Sequence, residues 1–269
     1  MNLFIMEIKS NFKSLIIWCI GVFFLVASGM AKYAGMEASE QSINTLMNQL
    51  PKPIQSILGL GAFDLTKALG YYGLLFAYLA IMATIHASML GADIISKEER
   101  DKTSEFLFVK PISRSKIITS KLLAALLNII VFNLVTLFSS LIIVGYYAKG
   151  EAITNDILTL MAGMFILQLM FLFIGTGIAA ISKRPKVAAS FATGILLFTF
   201  ILSIAIDMND RLANLKYLTP FKYFDAKNLI DGRGLDPFFV TISGVIIVIM
   251  FVSTYIFYNK RDLNILLVY

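Results

Sequence analysis

The chain contains six stretches of apolar sequence that are long enough for a helix to cross a lipid bilayer. A transmembrane helix needs about 20 mainly apolar residues, and the stretches cover residues of about 15–31, 71–95, 117–147, 157–181, 187–206 and 237–258. They lack the strict alternation of apolar and polar residues that is typical of strands. Charged residues make up only 15% of the chain, against about 25% in soluble domains. We therefore predict an all-α polytopic membrane protein in which residues 1–269 form one transmembrane domain.

The distribution of positive charge predicts the orientation of the chain. Most of the 23 Lys and Arg residues lie in the N-terminal segment, in the connections after the second and fourth spans, and in the C-terminal segment. Cytoplasmic loops carry an excess of Lys and Arg, so we expect both termini on the cytoplasmic side of a bacterial cell membrane. The net charge of +6 is thus interpreted as a signal of topology and docking, not of nucleic-acid binding.

Two further segments are expected to lie at the membrane surfaces. Residues 1–14 carry apolar side chains at positions 4, 5, 8 and 12, which form one face of a helix, and predict an interfacial helix before the first span. The external segment 207–236 is aromatic between Tyr217 and Phe224, and we expect it to form a re-entrant hairpin that dips into the outer leaflet before the sixth span.

A densely charged segment follows the second span. Ser96 with Glu99 three residues later matches a capping box, and Pro111 disfavours helix at Lys110, so the pattern predicts a short cytoplasmic helix within residues 96–110. Its spacing alone leaves two interpretations open. The helix is either a solvated end with i,i+4 ion pairs such as Lys97 with Asp101, or a docking surface for a cytoplasmic partner.

The same region resembles a known family. The residues that carry the resemblance are Glu99-Arg100, Thr103, Glu105, Leu107, Pro111, Ser113-Arg114, Ile117-Ile118 and Lys121. They look like the cytoplasmic motif after the second helix in permease subunits of ABC-2 type ATP-binding cassette transporters, although Lys102 stands where that family commonly has glycine. The external segment 217–225 is similar to the re-entrant region of the same family.

The resemblance implies a permease dimer, with identical or related copies, in which each copy grips one of two ABC ATPase subunits. ATP and Mg would be bound by the ATPase, and no cofactor by this chain, whose sequence has no G-x-x-x-x-G-K-[ST] phosphate loop. The segment at the end of the second span would act as the coupling helix between the ATPase and the membrane helices. The residues implied in ATPase coupling are Lys97, Glu98, Glu99, Arg100, Asp101, Lys102, Thr103, Ser104, Glu105 and Phe106.

Several intramembrane residues are candidates for packing or for cargo contact. A stripe of small residues lets another helix approach closely, and it marks either intramolecular packing or a dimer seam and substrate path. The stripe in the second span includes Gly73, Ala77, Ala80, Ala83 and Ala87. We group with it His86 of the same span and Ala192, Thr193 and Thr199 of the fifth span. His86 is either hydrogen-bonded packing or a substrate contact. Asp93 is expected to pair with Lys97, and Asn133 and Gln168 to join helices.

Three functions were weighed from these features. The leading one is an ABC exporter permease that moves hydrophobic or amphipathic cargo outwards, with toxin, bacteriocin or antimicrobial peptides favoured by analogy with the family. The alternative is a secondary transporter or channel that needs no ATPase. An intramembrane enzyme is disfavoured because Cys19 and His86 are the only cysteine and histidine, which also argues against a Cys/His metal cluster.

Overall fold

The computed structural model describes residues 3–37, 51, 55, 63–101, 112–182, 185–230 and 234–260. Its long helices are α1 (Leu3–Glu37), α2 (Ala68–Arg100), α3 (Arg114–Tyr147), α4 (Thr154–Ile181), α5 (Pro185–Met208) and α6 (Pro237–Lys260). Each is long and apolar enough to cross a membrane. The prediction of an all-helical protein with six spans is confirmed, and every predicted span lies inside one of these helices.

The first helix runs through the segment for which a separate interfacial helix was predicted. Residues Leu3–Glu37 form one α-helix, so the described chain shows no boundary between residues 1–14 and the span that follows. Lys97 and Lys121 both pair with Glu7 near the start of α1, and these contacts hold that start against the other helices. An interfacial position for residues 1–14 therefore stays a prediction.

Helices α2 and α4 form the centre of the bundle. Their most apolar windows are 61% and 56% buried, whereas the corresponding windows of α1, α5 and α6 are 22% buried or less. Glycines allow the two central backbones to meet, because a Cβ at Gly91 would lie 2.2 Å from the Leu172 carbonyl oxygen and one at Gly175 would lie 2.5 Å from the Ser88 carbonyl oxygen. Small residues at a helix crossing favour association in lipid, where burial of apolar surface supplies little driving force.

Local sequence explains how the helices are joined. Ser113 caps α3, since its side chain accepts a hydrogen bond from the Lys116 N–H at 3.3 Å, as expected for serine at this position. The turn before α4 places Lys149 and Gly150 at positive φ. Pro185 begins α5 only four residues after Ile181 ends α4, so the connection between these helices is short. Proline suits the first turn of a helix.

The segment between α5 and α6 folds back along the helices. It contains two 3-10 helices, Asp210–Leu218 and Pro220–Lys222, and a one-turn helix, Ala226–Asn228. The Thr219 hydroxyl donates to the Thr199 carbonyl oxygen at 2.8 Å, nine residues before the end of α5. The hairpin thus reaches well down the side of α5, while its depth in the bilayer stays a prediction.

Candidate functional site

Four charged side chains meet at one end of the bundle, where α1 and α3 begin and α2 ends. Glu7 of α1 and Lys121 of α3 are both fully buried and lie 3.1 Å apart. Lys97 of α2 also pairs with Glu7, and Lys121 pairs with Glu98 of α2. Lys121 donates a further hydrogen bond to the Ile94 carbonyl oxygen at 2.7 Å. We call Glu7, Lys97, Glu98 and Lys121 the buried charge cluster.

The buried charge cluster joins three helices by complementary charge. Burying one charge costs several kcal/mol unless a partner and hydrogen bonds compensate for lost hydration, and here two acidic groups face two basic groups. Lys121 lies in the first turns of α3, yet it is 0% exposed. The lysine is held inside because the acidic residues of α1 and α2 lie within reach.

A second ion-pair group lies on the last turns of α2. Arg100 pairs with Asp93 and, through its Nε atom at 3.0 Å, with Asp101. The hydrogen bond from the Arg100 guanidinium lowers the pKa of the Asp101 carboxyl. The predicted pairing of Asp93 with Lys97 is therefore wrong: Lys97 turns towards Glu7, and Arg100, two turns beyond Asp93 on the same helix, takes its place.

The predicted coupling helix lies partly within the described chain. Residues 97–100 continue α2 without a break, and Asp101 follows as its C-cap. Ser96 does not begin a new helix, because its hydroxyl donates to the Ala92 carbonyl oxygen at 2.7 Å inside α2; the capping-box interpretation is wrong. Glu99 is half-buried on this last turn. The remaining coupling residues, Lys102, Thr103, Ser104, Glu105 and Phe106, lie outside the described residues.

A polar cavity of about 210 Å³ opens beside these ion pairs. It lies against α2, between α1 and α5, and α3 closes part of it. Its lining combines polar and apolar side chains: Asn11, Ser14, Trp18, His86, Met89, Leu90, Asp93, Arg100, Asn128 and Ala189. The cavity therefore extends from the ion pairs at the end of α2 to the middle of that helix.

His86 lies at the deeper end of the polar cavity. The residue is 3% exposed, and its ring centroid lies 5.3 Å from that of Trp18 and 5.0 Å from that of Phe132. Among the described residues, the His86 Nδ1 atom has no hydrogen-bond partner. The ring thus packs between aromatic side chains and also lines the cavity, whereas the hydrogen bond of the predicted packing role is not seen at Nδ1 among the described residues. Contact with cargo remains a proposal.

The small-residue stripe lies mostly inside the protomer. Ala80, Ala83 and Ala87 are buried in the core, and a Cβ at Gly73 would meet the side chains of Phe63 and Ile230. Ala77, in contrast, is exposed. On α5, Ala192 is buried and Thr193 and Thr199 are half-buried. Intramolecular packing therefore explains most of the stripe, and a dimer seam or substrate path along it stays a prediction.

Two polar residues that join helices were predicted, and several site residues were not. The Asn133 amide donates to Gln168 Oε1 at 3.0 Å, so both residues join helices as expected, through a hydrogen bond to each other. The sequence analysis did not single out Glu7, Trp18 or Asn128 as site residues. Glu7 gave the clearest available signal, because a carboxylate close to an apolar stretch requires a cationic partner, but the pattern did not show which lysine would reach it.

The fold and this site define a multi-pass membrane protein with a charged, polar end to its helical bundle. Residues 1–263 match the family model described as ABC-2 family transporter protein. This match covers nearly the whole chain, and the chain belongs to the ABC-2 transporter family. Comparison with curated proteins gives no match.

Proposed function

We propose that this chain is the permease of an ABC exporter that moves amphipathic or hydrophobic cargo, with peptides favoured, out of the cell. The family match over residues 1–263 is the observation that carries this proposal, since ABC-2 permeases are transmembrane subunits of ABC transporters. Two ATPase subunits supply ATP hydrolysis with Mg, and a second permease copy completes the transporter. The side of the bundle with the buried charge cluster faces the cytoplasm.

The end of α2 supports this assignment physically. The helix that forms the centre of the bundle continues without interruption to Arg100, and the coupling residues follow it directly along the chain. A push on the segment 102–106 would therefore act on a rigid lever. The buried charge cluster joins that lever to the starts of α1 and α3, so three helices would respond together.

Transport by inverted membrane vesicles tests the proposal. Vesicles that contain the permease and its cognate ATPase are expected to accumulate a fluorescently labelled amphipathic peptide when ATP is added, and to continue when a protonophore dissipates the proton gradient. Omission of ATP is the matched control. Uptake that ignores ATP and collapses with the protonophore would contradict the proposal and would favour the secondary transporter.

A further inference from the structure

In the described part of the chain, the one carboxylate that lines the polar cavity is that of Asp93, and its partner Arg100 also pairs with Asp101. Asp93 pairs with Arg100, whereas Arg100 contacts both Asp93 and Asp101. An anionic ligand would have to draw Arg100 away from two carboxylates. A cationic ligand would displace Arg100 from Asp93 alone and leave it paired with Asp101. The arrangement of charges therefore favours a cation at Asp93.

The rest of the cavity suits a primary ammonium group with an apolar tail. The ammonium has three N–H donors, and His86 lines the cavity, where the unprotonated nitrogen of a neutral imidazole can accept a hydrogen bond. Asn128 is 3% exposed, and its Nδ2 atom donates to the Ala124 carbonyl oxygen at 2.8 Å, so its side-chain oxygen is the group left to accept. The Trp18 ring attracts cations through its π face.

We propose that the polar cavity binds the cationic amine of an amphipathic cargo molecule, and that this amine replaces Arg100 as the partner of Asp93. That the ligand is cargo rests on the proposed function. That the ligand is a cationic amine rests on the cavity alone. A volume of about 210 Å³ is smaller than the roughly 300–1,000 Å³ of pockets that enclose a drug-sized ligand. The cavity thus takes the amine end of the molecule, and the apolar remainder extends along Met89 and Leu90.

The exchange of partners gives cargo a physical route to the ATPase. Once the amine holds Asp93, Arg100 pairs with Asp101 alone, on the residue that directly precedes the coupling segment. Arg100 then no longer connects Asp93 to Asp101 across the last turns of α2. Cargo in the cavity would in this way act on the last turn of α2, from which the chain continues into residues 102–106.

The chain offers its own reporter for this test, because Trp18 is its only tryptophan and it lines the cavity. The full-length permease, in phosphatidylcholine nanodiscs, is titrated with dodecylamine while tryptophan fluorescence is recorded. Dodecanoate, with the same chain length and the opposite charge, is the matched probe. We expect a saturable change with dodecylamine and no saturable change with dodecanoate.

Two substitutions with opposite expected effects separate binding from misfolding. Asp93→Asn removes the carboxylate and is expected to weaken dodecylamine binding about tenfold or more, the usual scale of a hydrogen bond to a charged group. Arg100→Gln removes the competing cation and is expected to tighten binding. Glu151→Gln, at an exposed acid in the loop before α4, is expected to leave binding unchanged.

Equal responses to the two probes, or an Asp93→Asn variant that binds as tightly as the wild type, would overturn the inference. An Arg100→Gln variant that binds no more tightly than the wild type would overturn the exchange of partners. Because the titration uses no ATPase, its result is independent of the proposed function. Amine binding without ATP-driven transport would refute that function alone, and the reverse would refute this inference alone.

Discussion

At the scale of single residues, the buried charge cluster joins the starts of α1 and α3 to the end of α2. Glu7 serves two lysines at once, one from α2 and one from α3. Its removal would leave Lys97 and Lys121 facing each other with Glu98 as the acidic partner. Breaking a buried pair by removal of one partner typically costs about 3–5 kcal/mol, because the remaining charge is uncompensated.

We therefore expect Glu7→Gln to destabilise the folded permease by about 3–5 kcal/mol, measured as a shift in denaturant-induced unfolding in a mixed-micelle assay. Glu151→Gln makes the same chemical change at an exposed position and is expected to stay within about 0.5 kcal/mol of the wild type. Similar stabilities for the two variants would show that the cluster contributes no net stability.

The partners in these ion pairs could not be predicted from the sequence. The pattern placed Asp93 one turn from Lys97 and predicted their pairing, but a local rule considers only one helix. Lys97 instead reaches Glu7, 90 residues away along the chain, because the ends of α1 and α2 meet in space. Which helix ends meet depends on packing of the whole bundle, and this information is absent from any single segment.

At the scale of elements, the helices themselves could be predicted almost completely. The thickness of the bilayer fixes the length of each apolar stretch, so the six spans appear directly in the sequence. The ends were less predictable: Ser96 and Glu99 match a capping box, yet α2 runs through both to Arg100. A capping motif requires that the chain leave helical geometry before the serine, and here packing inside the bundle keeps it helical.

The crossing of α2 and α4 is expected to tolerate no side chain at Gly91. A Cβ there would lie 2.2 Å from the Leu172 carbonyl oxygen, so Gly91→Ala must push two central backbones apart. We expect a loss of about 1–3 kcal/mol, the usual cost of overpacking a core, measured by the same unfolding assay. Gly145→Ala on α3 is the control, since a Cβ there would meet none of the described atoms within 4 Å. Equal stability of the two variants would contradict the close crossing.

The segment between α5 and α6, for which we predict an external hairpin, has its own ion-pair anchor in Lys222. This lysine lies 2.9 Å from Asp225 and 2.5 Å from Asp207 at the end of α5. Burial alone would lower the pKa of Lys222, but the Asp225 and Asp207 carboxylates outweigh it and raise the pKa above its ordinary value. The lysine is therefore charged at neutral pH and ties the hairpin to α5.

We expect Lys222→Met to release this segment from α5, because Asp207 and Asp225 lose their shared cation. Amide hydrogen exchange of residues 219–229 should accelerate about tenfold or more, the scale set by hydrogen bonds to charged groups. Lys227→Met changes an exposed lysine in the same hairpin and should leave exchange nearly unchanged. Equal exchange in both variants would contradict the anchor.

At the scale of the whole molecule, the charge that first appeared as a surplus of +6 has a definite distribution. Two of the lysines, Lys97 and Lys121, lie inside the end of the bundle, where Glu7 and Glu98 balance their charge and the cluster joins α1, α2 and α3. The family match accounts for the architecture, and the charged end of α2 accounts physically for how an ATPase could move it. The cargo could not be predicted from either source, because the cavity that we propose recognises it is assembled from four separate helices.

The most direct test of the central claim is purification of the affinity-tagged permease from its native membrane, with ATPase activity measured in the eluate. We expect an ABC ATPase to copurify with the wild-type chain and to be lost when residues 102–106 are replaced by a Gly/Ser linker of equal length. Glu105→Arg alone is expected to retain the complex and to uncouple ATP hydrolysis from peptide transport. A wild-type chain that transports its cargo with no ATPase bound, or an ATPase that stays bound and coupled after the 102–106 replacement, would contradict the account.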